Sequence, residues 1–336
     1  MGLWRIGLRS FTEMKQATLL LVCSAALAYP GRAIGQMDAF GSGTNAFTIE
    51  FVAIGNPGNA VDVYPAPGAG YGAVSYEYRI GAREISQNQI DKATRAGLAN
   101  VTAGAWVGGR PAANINWYEA AAFVNWLNTS TGRQGAYDLT WDGTVWSMNL
   151  WSSSEAWTAG GTNLYRHKDT YYFLPSEDEW YKAAYYNAAG TNYFLYPTGS
   201  DSAPAAVVSG TNVNTAVFFS PAAVPVVDEP SEVSAAGGLS AYGTMGQGGN
   251  VMEWNETAYT GINSLSSEQR AIRGGSYIAD DFSMRASSRN YDLPTFEGGN
   301  LGFRVASVPE PSTYLLVLLG AGALYALRRR QGRSKN

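Results

Sequence analysis

The chain has 336 residues, a formal net charge of −4 and 46% hydrophobic residues, with one cysteine and one histidine. Apolar and aromatic residues are too abundant for an intrinsically disordered chain. A single cysteine also excludes a disulfide-rich scaffold. The 39 glycines and the low content of charged residues, 15%, indicate a globular protein with many tight turns.

Residues 1–35 have the pattern of a secretory signal peptide. Three basic residues precede an apolar run, 17–28, which ends in small residues suited to cleavage. The alternative is a buried N-terminal helix, which the order of basic and apolar residues disfavours. Because Cys23 lies inside this segment, we expect the mature protein to contain no thiol.

Residues 36–307, between the two terminal segments, are strongly acidic. They contain 14 Lys and Arg against 25 Asp and Glu, which gives a net charge of −11. An acidic domain repels phosphate backbones, so we do not expect nucleic acid as a partner. The same charge favours the binding of cations.

Two helices are predicted in this domain, each from a capping box. Asn116 and Glu119 form one such pair and Ser176 and Glu179 the other, so that cap and N3 side chains satisfy each other's backbone N–H groups. Apolar residues at helical spacing predict the core-facing side of each helix. They are Ala120, Phe123, Val124 and Leu127 in the first helix and Trp180, Ala183 and Ala184 in the second.

Short strands are predicted at 47–55, 73–81 and 302–307, where apolar and polar residues partly alternate. Residues 201–238 are rich in Ala, Val, Pro and Ser, and we interpret them as an insertion or long loop. Because no internal repeat or long linker divides the chain, one domain is favoured over two.

Seven segments, in chain order, resemble the formylglycine-generating enzyme (sulfatase-modifying factor) family. They are FVAIGNPGN, SYEYRIGAREIS, NINWYEAAAFVNWLN, FLPSEDEWYKAAYY, GQGGNVMEWNE, IRGGSY and NLGFRVA. Each is weakly specific alone, but seven in this order are strongly specific, and the resemblance covers about residues 47–306. The resemblance implies an α+β fold: a single compact domain related to C-type lectins, with little regular secondary structure.

The resemblance also implies where the family's chemistry would lie. In active members the segment after RGGSY carries two cysteines that bind copper(I) and oxidise a substrate cysteine. By spacing, these positions fall at Ala279 and near Met284, in a segment shorter than that of the active enzymes. Soft thiolates select copper(I), and alanine and methionine cannot replace the pair. We therefore expect no copper and no catalytic residue of the family type.

The motif GGNVMEW suggests a calcium site by the same resemblance, with Asn250, the Val251 carbonyl and Glu253 as ligands. The two glycines permit a tight turn, and hard cations prefer such oxygen ligands. The residues alone leave an alternative open. The asparagine could stabilise the turn while Glu253 makes a structural hydrogen bond.

Four arginines near the C-terminal end of the domain are expected to be partly buried and to pair with carboxylates close in sequence. We interpret these pairs as structural and not as a substrate-binding set. The arginines are Arg273, Arg285, Arg289 and Arg304, and the carboxylates are Asp280, Asp281, Asp292 and Glu297.

Other catalytic chemistries have little support in the sequence. His167 is the sole possible base for a hydrolytic triad, and no nucleophile motif accompanies it. A non-haem iron site of the family's relatives would need more histidines. Two carboxylates from Asp280, Asp281 and Glu253 could act on a glycan, but their separation cannot be obtained from sequence.

Residues 308–336 resemble a PEP-CTERM sorting signal. Pro309, Glu310 and Pro311 precede an uncharged apolar segment, 313–327, and three arginines. We predict that the apolar segment forms a short transmembrane helix with its basic end in the cytoplasm. The resemblance implies a Gram-negative bacterium, export and processing by an exosortase.

These features predict an exported protein of the cell surface, outer membrane or extracellular matrix that is transiently anchored in the inner membrane. The first hypothesis is a binding or structural module for a glycan or another exported protein. The second is an enzyme that uses carboxylates or the lone histidine. The third is the family oxidase acting on exported sulfatases, which the missing cysteines oppose.

Overall fold

A computed structural model of the protein describes residues 35–63 and 70–309. The predicted signal peptide up to residue 34, the Glu310 and Pro311 of the sorting motif and the predicted membrane segment 313–327 lie outside the described residues. Within the described ranges, no helix combines the length and the hydropathy needed to cross a bilayer.

Within the described part of the chain, three α-helices begin at capping boxes. They are α1 (Gln87–Arg95), α2 (Trp117–Thr129) and α3 (Glu177–Tyr185). The boxes predicted at the starts of α2 and α3 are confirmed, because each cap side chain accepts from the N3 backbone N–H. Sequence reasoning missed α1, although its Ser86 and Gln89 form the same reciprocal pair.

The strands are short. In chain order they are β1 Gln36–Phe40, β2 Phe47–Ile54, β3 Tyr78–Gly81, β4 Asp138–Trp141, β5 Trp146–Asn149, β6 Ala156–Trp157, β7 Asn163–His167, β8 Tyr172–Phe173, β9 Tyr186–Asn187, β10 Asn192–Tyr193, β11 Ala205–Ala206, β12 Thr215–Ala216, β13 Met252–Ala258, β14 Arg270–Arg273, β15 Asn290–Asp292, β16 Leu301–Gly302 and β17 Ala306–Ser307. The strand predicted at 47–55 corresponds to β2. The prediction at 73–81 is correct only for β3, and the one at 302–307 divides between β16 and β17.

Two larger sheets organise these strands. One has the order β1-β2-β3-β17-β8, and all of its neighbours are antiparallel. The other has the order β15-β14-β13-β16, in which β13 and β16 run parallel. Because β17 lies between β3 and β8, the end of the domain returns to the interior of the first sheet.

One contiguous hydrophobic core joins both sheets to α2. The predicted apolar face of α2 is buried there, with Phe123 and Leu127 packed among residues such as Phe51 of β2 and Trp254 of β13. A single core of this kind indicates one domain. The predicted α+β fold, a single compact domain with little regular structure, is confirmed.

Residues 201–238 contain only the two-residue strands β11 and β12. The segment nevertheless packs closely on the domain. The Val217 carbonyl accepts the Asn250 N–H at 2.7 Å, and Phe218 is buried beside Met284. The long segment therefore supports the turn before β13 from one side.

Candidate functional site

A cleft of about 320 Å³ opens where β14 ends and the chain turns towards β15. Its lining residues are Met252, Arg273, Gly274, Gly275, Ser276, Ile278, Ala279, Ser283, Ser288, Arg289, Asn290 and Asn300. Most of them belong to the segment RGGSYIADDFSMRASSRN, where the resemblance places the family's chemistry. This cleft is therefore the candidate functional site.

The double glycine shapes the base of the cleft. Gly274 has a φ of +102° and Gly275 a φ of +67°, conformations that favour glycine. A Cβ at Gly274 would lie 2.9 Å from the Gln247 carbonyl oxygen, which is too close for a side chain. The turn therefore lets backbone, and not side chains, form this part of the wall.

The two positions expected for the family's cysteines do not share the cleft. Ala279 lines it, whereas Met284 is fully buried beside Tyr196 and Phe218 and is not part of the lining. Residues Asp281–Met284 form a single 3-10 turn, which directs Met284 into the core and leaves Ser283 on the cleft wall. A methyl group and a buried thioether do not fit copper(I), which prefers a pair of thiolates.

Arg273 and Arg304 are buried and Arg289 is mostly buried, whereas the Arg285 side chain is 36% exposed. Most of the predicted partners are wrong. Arg273 and Arg289 both donate to Glu177, the first residue of α3, from 96 and 112 residues away. Arg304 pairs with Glu253. Only Arg285 takes a predicted partner, Asp281, at 3.3 Å. Tertiary packing sets these pairs, so proximity in sequence is a poor guide to them.

The shared carboxylate of Glu177 fixes one wall of the cleft. Arg289 donates to it twice, from Nε at 2.6 Å and from Nη2 at 2.7 Å, and its guanidinium lies 4.0 Å from the centre of the Tyr259 ring. Arg273 Nη1 donates to the carbonyls of Ala286 and Ser288. Burial lowers the pKa of Arg289, but its hydrogen bond to Glu177 and the charge of that carboxylate, together with Tyr71 and Tyr259, more than offset this and the pKa is raised.

The residues predicted to bind calcium already have protein partners. Glu253 lies in β13 and not in the glycine turn. Its carboxylate accepts from Arg304 twice, at 2.6 Å each, and from the Trp180 indole at 2.7 Å. The Asn250 Oδ1 accepts the Ser231 N–H at 2.8 Å.

These contacts favour the structural alternative for the turn before β13. Among the residues that the structure describes, no three His, Cys, Asp or Glu are placed to hold a metal together. Calcium binding by Asn250, Val251 and Glu253 stays a prediction. Melting curves of the protein with calcium and with a chelator would test it, because a bound ion raises the melting temperature by mass action.

Glu84 is a buried carboxyl beside this turn that sequence reasoning missed. Its oxygens accept from the Asn250 amide at 2.7 Å and from the Val251 N–H at 3.3 Å. Burial, and then the negative charge of Glu253, raise the pKa of Glu84 well above its ordinary value. Nothing in the local pattern marks this residue, because its burial depends on contacts with residues more than 160 positions away.

The other predicted catalytic groups are not brought together. His167 is buried, accepts the Asp169 N–H at 3.0 Å on Nδ1, and packs on Trp151. Asp280 caps the 3-10 turn through the Ser283 N–H, and Asp281 accepts from Tyr196. Neither aspartate lines the cleft, and Glu253 is fully buried.

The polar residues that do line the cleft were not singled out from the sequence. Ser283, Ser288, Asn290 and Asn300 are common turn residues, so their composition carries no functional signal. Only the folded chain shows that they share a wall with Arg289.

Two known family models match this chain. The model of the sulfatase-modifying factor enzyme 1-like domain matches residues 73–308, and the PEP-CTERM protein-sorting motif matches residues 307–331. No match to this chain is found among the curated proteins. The sorting motif implies export and processing by an exosortase.

Solved structures share the fold. Variable protein 1 of Treponema denticola has a TM-score of 0.56 and 21% identity, covering 82% of this chain and 99% of that one. A protein named CarF has a TM-score of 0.55 and 21% identity, covering 78% and 99%. PvdO from Pseudomonas aeruginosa has a TM-score of 0.52 and 17% identity, covering 81% and 98%.

At these identities the solved structures support the fold alone. The family model carries more, because it covers residues 73–308 of a chain of 336 and includes the whole cleft. The chain therefore belongs to the family of sulfatase-modifying factor enzyme 1-like domains, and it carries a PEP-CTERM sorting motif at its C-terminal end.

Proposed function

We propose that this domain works outside the cytoplasm as a binding module for a glycan or another exported protein. The ligand occupies the cleft below the RGGS turn, and the family's cysteine oxidation does not take place there. The observation that carries the proposal is a formed cleft with both polar and apolar lining residues, in which Ala279 occupies the position expected for the first cysteine.

The chemistry of the lining supports binding without oxidation. The oxidation needs thiolates that hold copper(I), and Cys23 is the chain's sole cysteine and precedes the domain. The cleft keeps two arginines, three serines and two asparagines. A small number of fixed polar groups in a concave site is typical of ligand recognition.

A turnover assay tests the loss of the family chemistry. The purified protein is incubated with copper, oxygen and a sulfatase-type cysteine peptide, and the peptide is analysed by mass spectrometry. We expect no conversion of cysteine to formylglycine. Weak copper binding by methionines such as Met252 would agree with the proposal, but oxygen-dependent turnover would contradict it.

A binding assay tests the module itself. We expect the purified protein to retain a ligand on a glycan array or in a panel of exported proteins from its host. Ala279→Trp, which fills the cleft, should abolish that binding, whereas Phe219→Trp on the exposed surface outside the cleft lining should not. Equal binding by both variants would place the ligand elsewhere.

The two ends of the chain support a location at the surface, outer membrane or extracellular matrix. We propose that the mature chain begins between about residues 29 and 37 and is trimmed near Pro309. Mass spectrometry of the surface fraction from the native host tests both ends. Recovery of the intact N-terminus from the cytoplasm would contradict export by this route.

A further inference from the structure

We infer that the cleft recognises an oxyanion, and that its ligand is an acidic polysaccharide held through a uronate carboxylate or a sulfate ester. The inference rests on the proposed binding function and deepens it by naming the class of ligand. It is carried by the charge of the lining and by the geometry of Arg289.

The cleft differs in charge from the domain that contains it. Residues 36–307 carry a net charge of −11, yet the described lining residues include two arginines and no carboxylate. The aspartates of the same segment are used elsewhere, since Asp280 caps the 3-10 turn and Asp281 pairs with Arg285. An anionic ligand therefore meets the guanidinium of Arg289 at the point of contact, and it meets no carboxylate of the lining.

Arg289 retains a free edge for such a ligand. Its Nε and Nη2 are both directed at Glu177, which leaves Nη1 on the opposite edge of the planar guanidinium. Arg273 shares the same carboxylate and is almost fully buried, whereas the Arg289 side chain is 16% exposed and reaches the cleft. Arginine recognises carboxylate and sulfate oxygens through this kind of planar N–H edge.

The remaining lining suits a sugar. Ser283 and Ser288 supply hydroxyls, Asn290 and Asn300 supply amides, and Ile278, 57% exposed, offers an apolar surface at the cleft. Arg273 holds the carbonyl of Ser288 at 2.7 Å, so the wall is formed before the ligand arrives. At about 320 Å³ the cleft is at the small end of ligand pockets and fits one or two sugar residues of a longer chain.

Two matched pairs of variants test the role of charge. Arg289→Gln should weaken binding of an acidic oligosaccharide about tenfold or more, whereas Arg285→Gln, in the same segment but outside the cleft, should change it less than about twofold. Ala279→Glu introduces a carboxylate without disturbing the Glu177 pairs, and Ala279→Gln is its neutral match. Ala279→Glu should bind at least about tenfold more weakly than Ala279→Gln. Equal affinities within that second pair would overturn the inference even if Arg289→Gln fails to fold.

The decisive experiment compares three oligosaccharides of equal length with the purified protein by calorimetry: a polyuronate, a sulfated glycan and a neutral glucan. We expect at least one acidic ligand to bind about tenfold or more tightly than the glucan, and added salt to weaken that binding. Preference for the polyuronate or for the sulfated glycan identifies the oxyanion. Glucan binding equal to both acidic ligands would overturn the inference but leave the binding module intact. Failure of all three ligands to bind would overturn the inference together with the glycan part of the proposed function.

Discussion

Arg166 and Arg304 are both fully buried, and each lies beside two buried glutamates. In the Arg166 cluster the partners are Glu179 and Glu256. Arg166 donates to Glu179 at 3.0 and 2.9 Å and to Glu256 at 2.9 and 2.7 Å, so its fork reaches both carboxylates. Burial raises the pKa of Glu179, but the charge and hydrogen bonds of Arg166, together with the hydrogen bonds from Ser176 and Tyr76, more than offset this and the pKa is lowered.

The Arg304 cluster, which consists of Arg304, Glu253 and Glu84, has the same composition but a different geometry. Arg304 donates to both oxygens of Glu253, and two further N–H groups donate to the carbonyls of Gly81 and Met245. Glu84 receives only neutral amide donors, and its pKa is raised well above the ordinary value. A fork that reaches both carboxylates therefore offsets their burial more fully. Burial raises the pKa of Glu256 in the Arg166 cluster, but that of Glu84, which no arginine contacts, is raised well above the ordinary value.

The largest effect is expected when the Arg166 cluster loses its cation. Arg166→Met leaves two buried carboxylates without a counter-charge, and we expect a loss of about 3–5 kcal/mol in the free energy of unfolding. Urea unfolding followed by fluorescence measures it. Arg95→Met, at an exposed arginine of α1, is the control and should remain close to wild type. A loss no larger than that of the control would show that the Arg166 pairs contribute little.

A smaller loss is expected from removing one charge of the Arg166 cluster. Glu179→Gln keeps the shape of the side chain, but it removes the negative charge and replaces one oxygen that accepts from Arg166 with an NH2 group, which can only donate. We expect a loss of about 2–3 kcal/mol at neutral pH, measured by urea unfolding. If the variant is as stable as wild type, the charge of Glu179 does not stabilise the Arg166 cluster, and this cluster does not differ from the Arg304 cluster in that respect.

Replacing Glu84 of the Arg304 cluster by glutamine should instead raise the free energy of unfolding at neutral pH. Native Glu84 holds its proton above the ordinary pKa of 4.5, while the unfolded chain releases it, so rising pH destabilises the wild type. Glu84→Gln removes this dependence. From pH 4.5 towards the raised native pKa, we expect the variant to gain up to about 1.4 kcal/mol per pH unit relative to wild type.

Below pH 4.5 both states of the wild type hold the proton, and the variant should then be less stable by about 1 kcal/mol because its amide cannot accept every present hydrogen bond. Urea unfolding of both proteins between pH 4 and pH 8 measures the trend. A stability difference that does not change with pH would mean that Glu84 is ionised in the folded protein.

The smallest effect is expected at the exposed pair of Arg285 and Asp281, whose side chains are 36% and 27% exposed. Arg285→Gln should cost less than about 1 kcal/mol, because solvent screens an exposed ion pair. Thermal unfolding at low and high salt checks this. A loss comparable to that of Glu179→Gln would show that exposure does not separate the two kinds of pair.

The sequence predicts those features of the fold that depend on contacts between residues close together in the chain. Asn116 with Glu119 and Ser176 with Glu179 lie within one helical turn, so their spacing alone identifies the helix starts. The burial of Arg273, Arg289 and Arg304 was also predictable from the sequence. The choice of Glu177 as partner of Arg273 was not, because the contact depends on how α3 packs against β14.

The errors at the candidate site have a similar origin. The strand that contains Glu253, β13, is buried on both faces, so no alternation of apolar and polar residues marks it in the sequence. Raw spacing placed Met284 at the active segment, but a single 3-10 turn directs it into the core. The cleft itself is assembled from Met252, Asn300 and the segment after β14, which only the fold brings together.

The position of β17 sets a limit on how the protein can be trimmed. Ser307 pairs with both Arg79 and Tyr172, and the Val308 N–H still donates to the Tyr171 carbonyl. Pro309, the next residue, is the first of the Pro-Glu-Pro tripeptide. A peptidase that cuts at Pro309 or beyond leaves the sheet whole, whereas one that removes two more residues takes out a strand held on both sides. The tripeptide thus marks the last point at which the tail can be cleaved off without loss of β17, because only Val308 lies between β17 and Pro309.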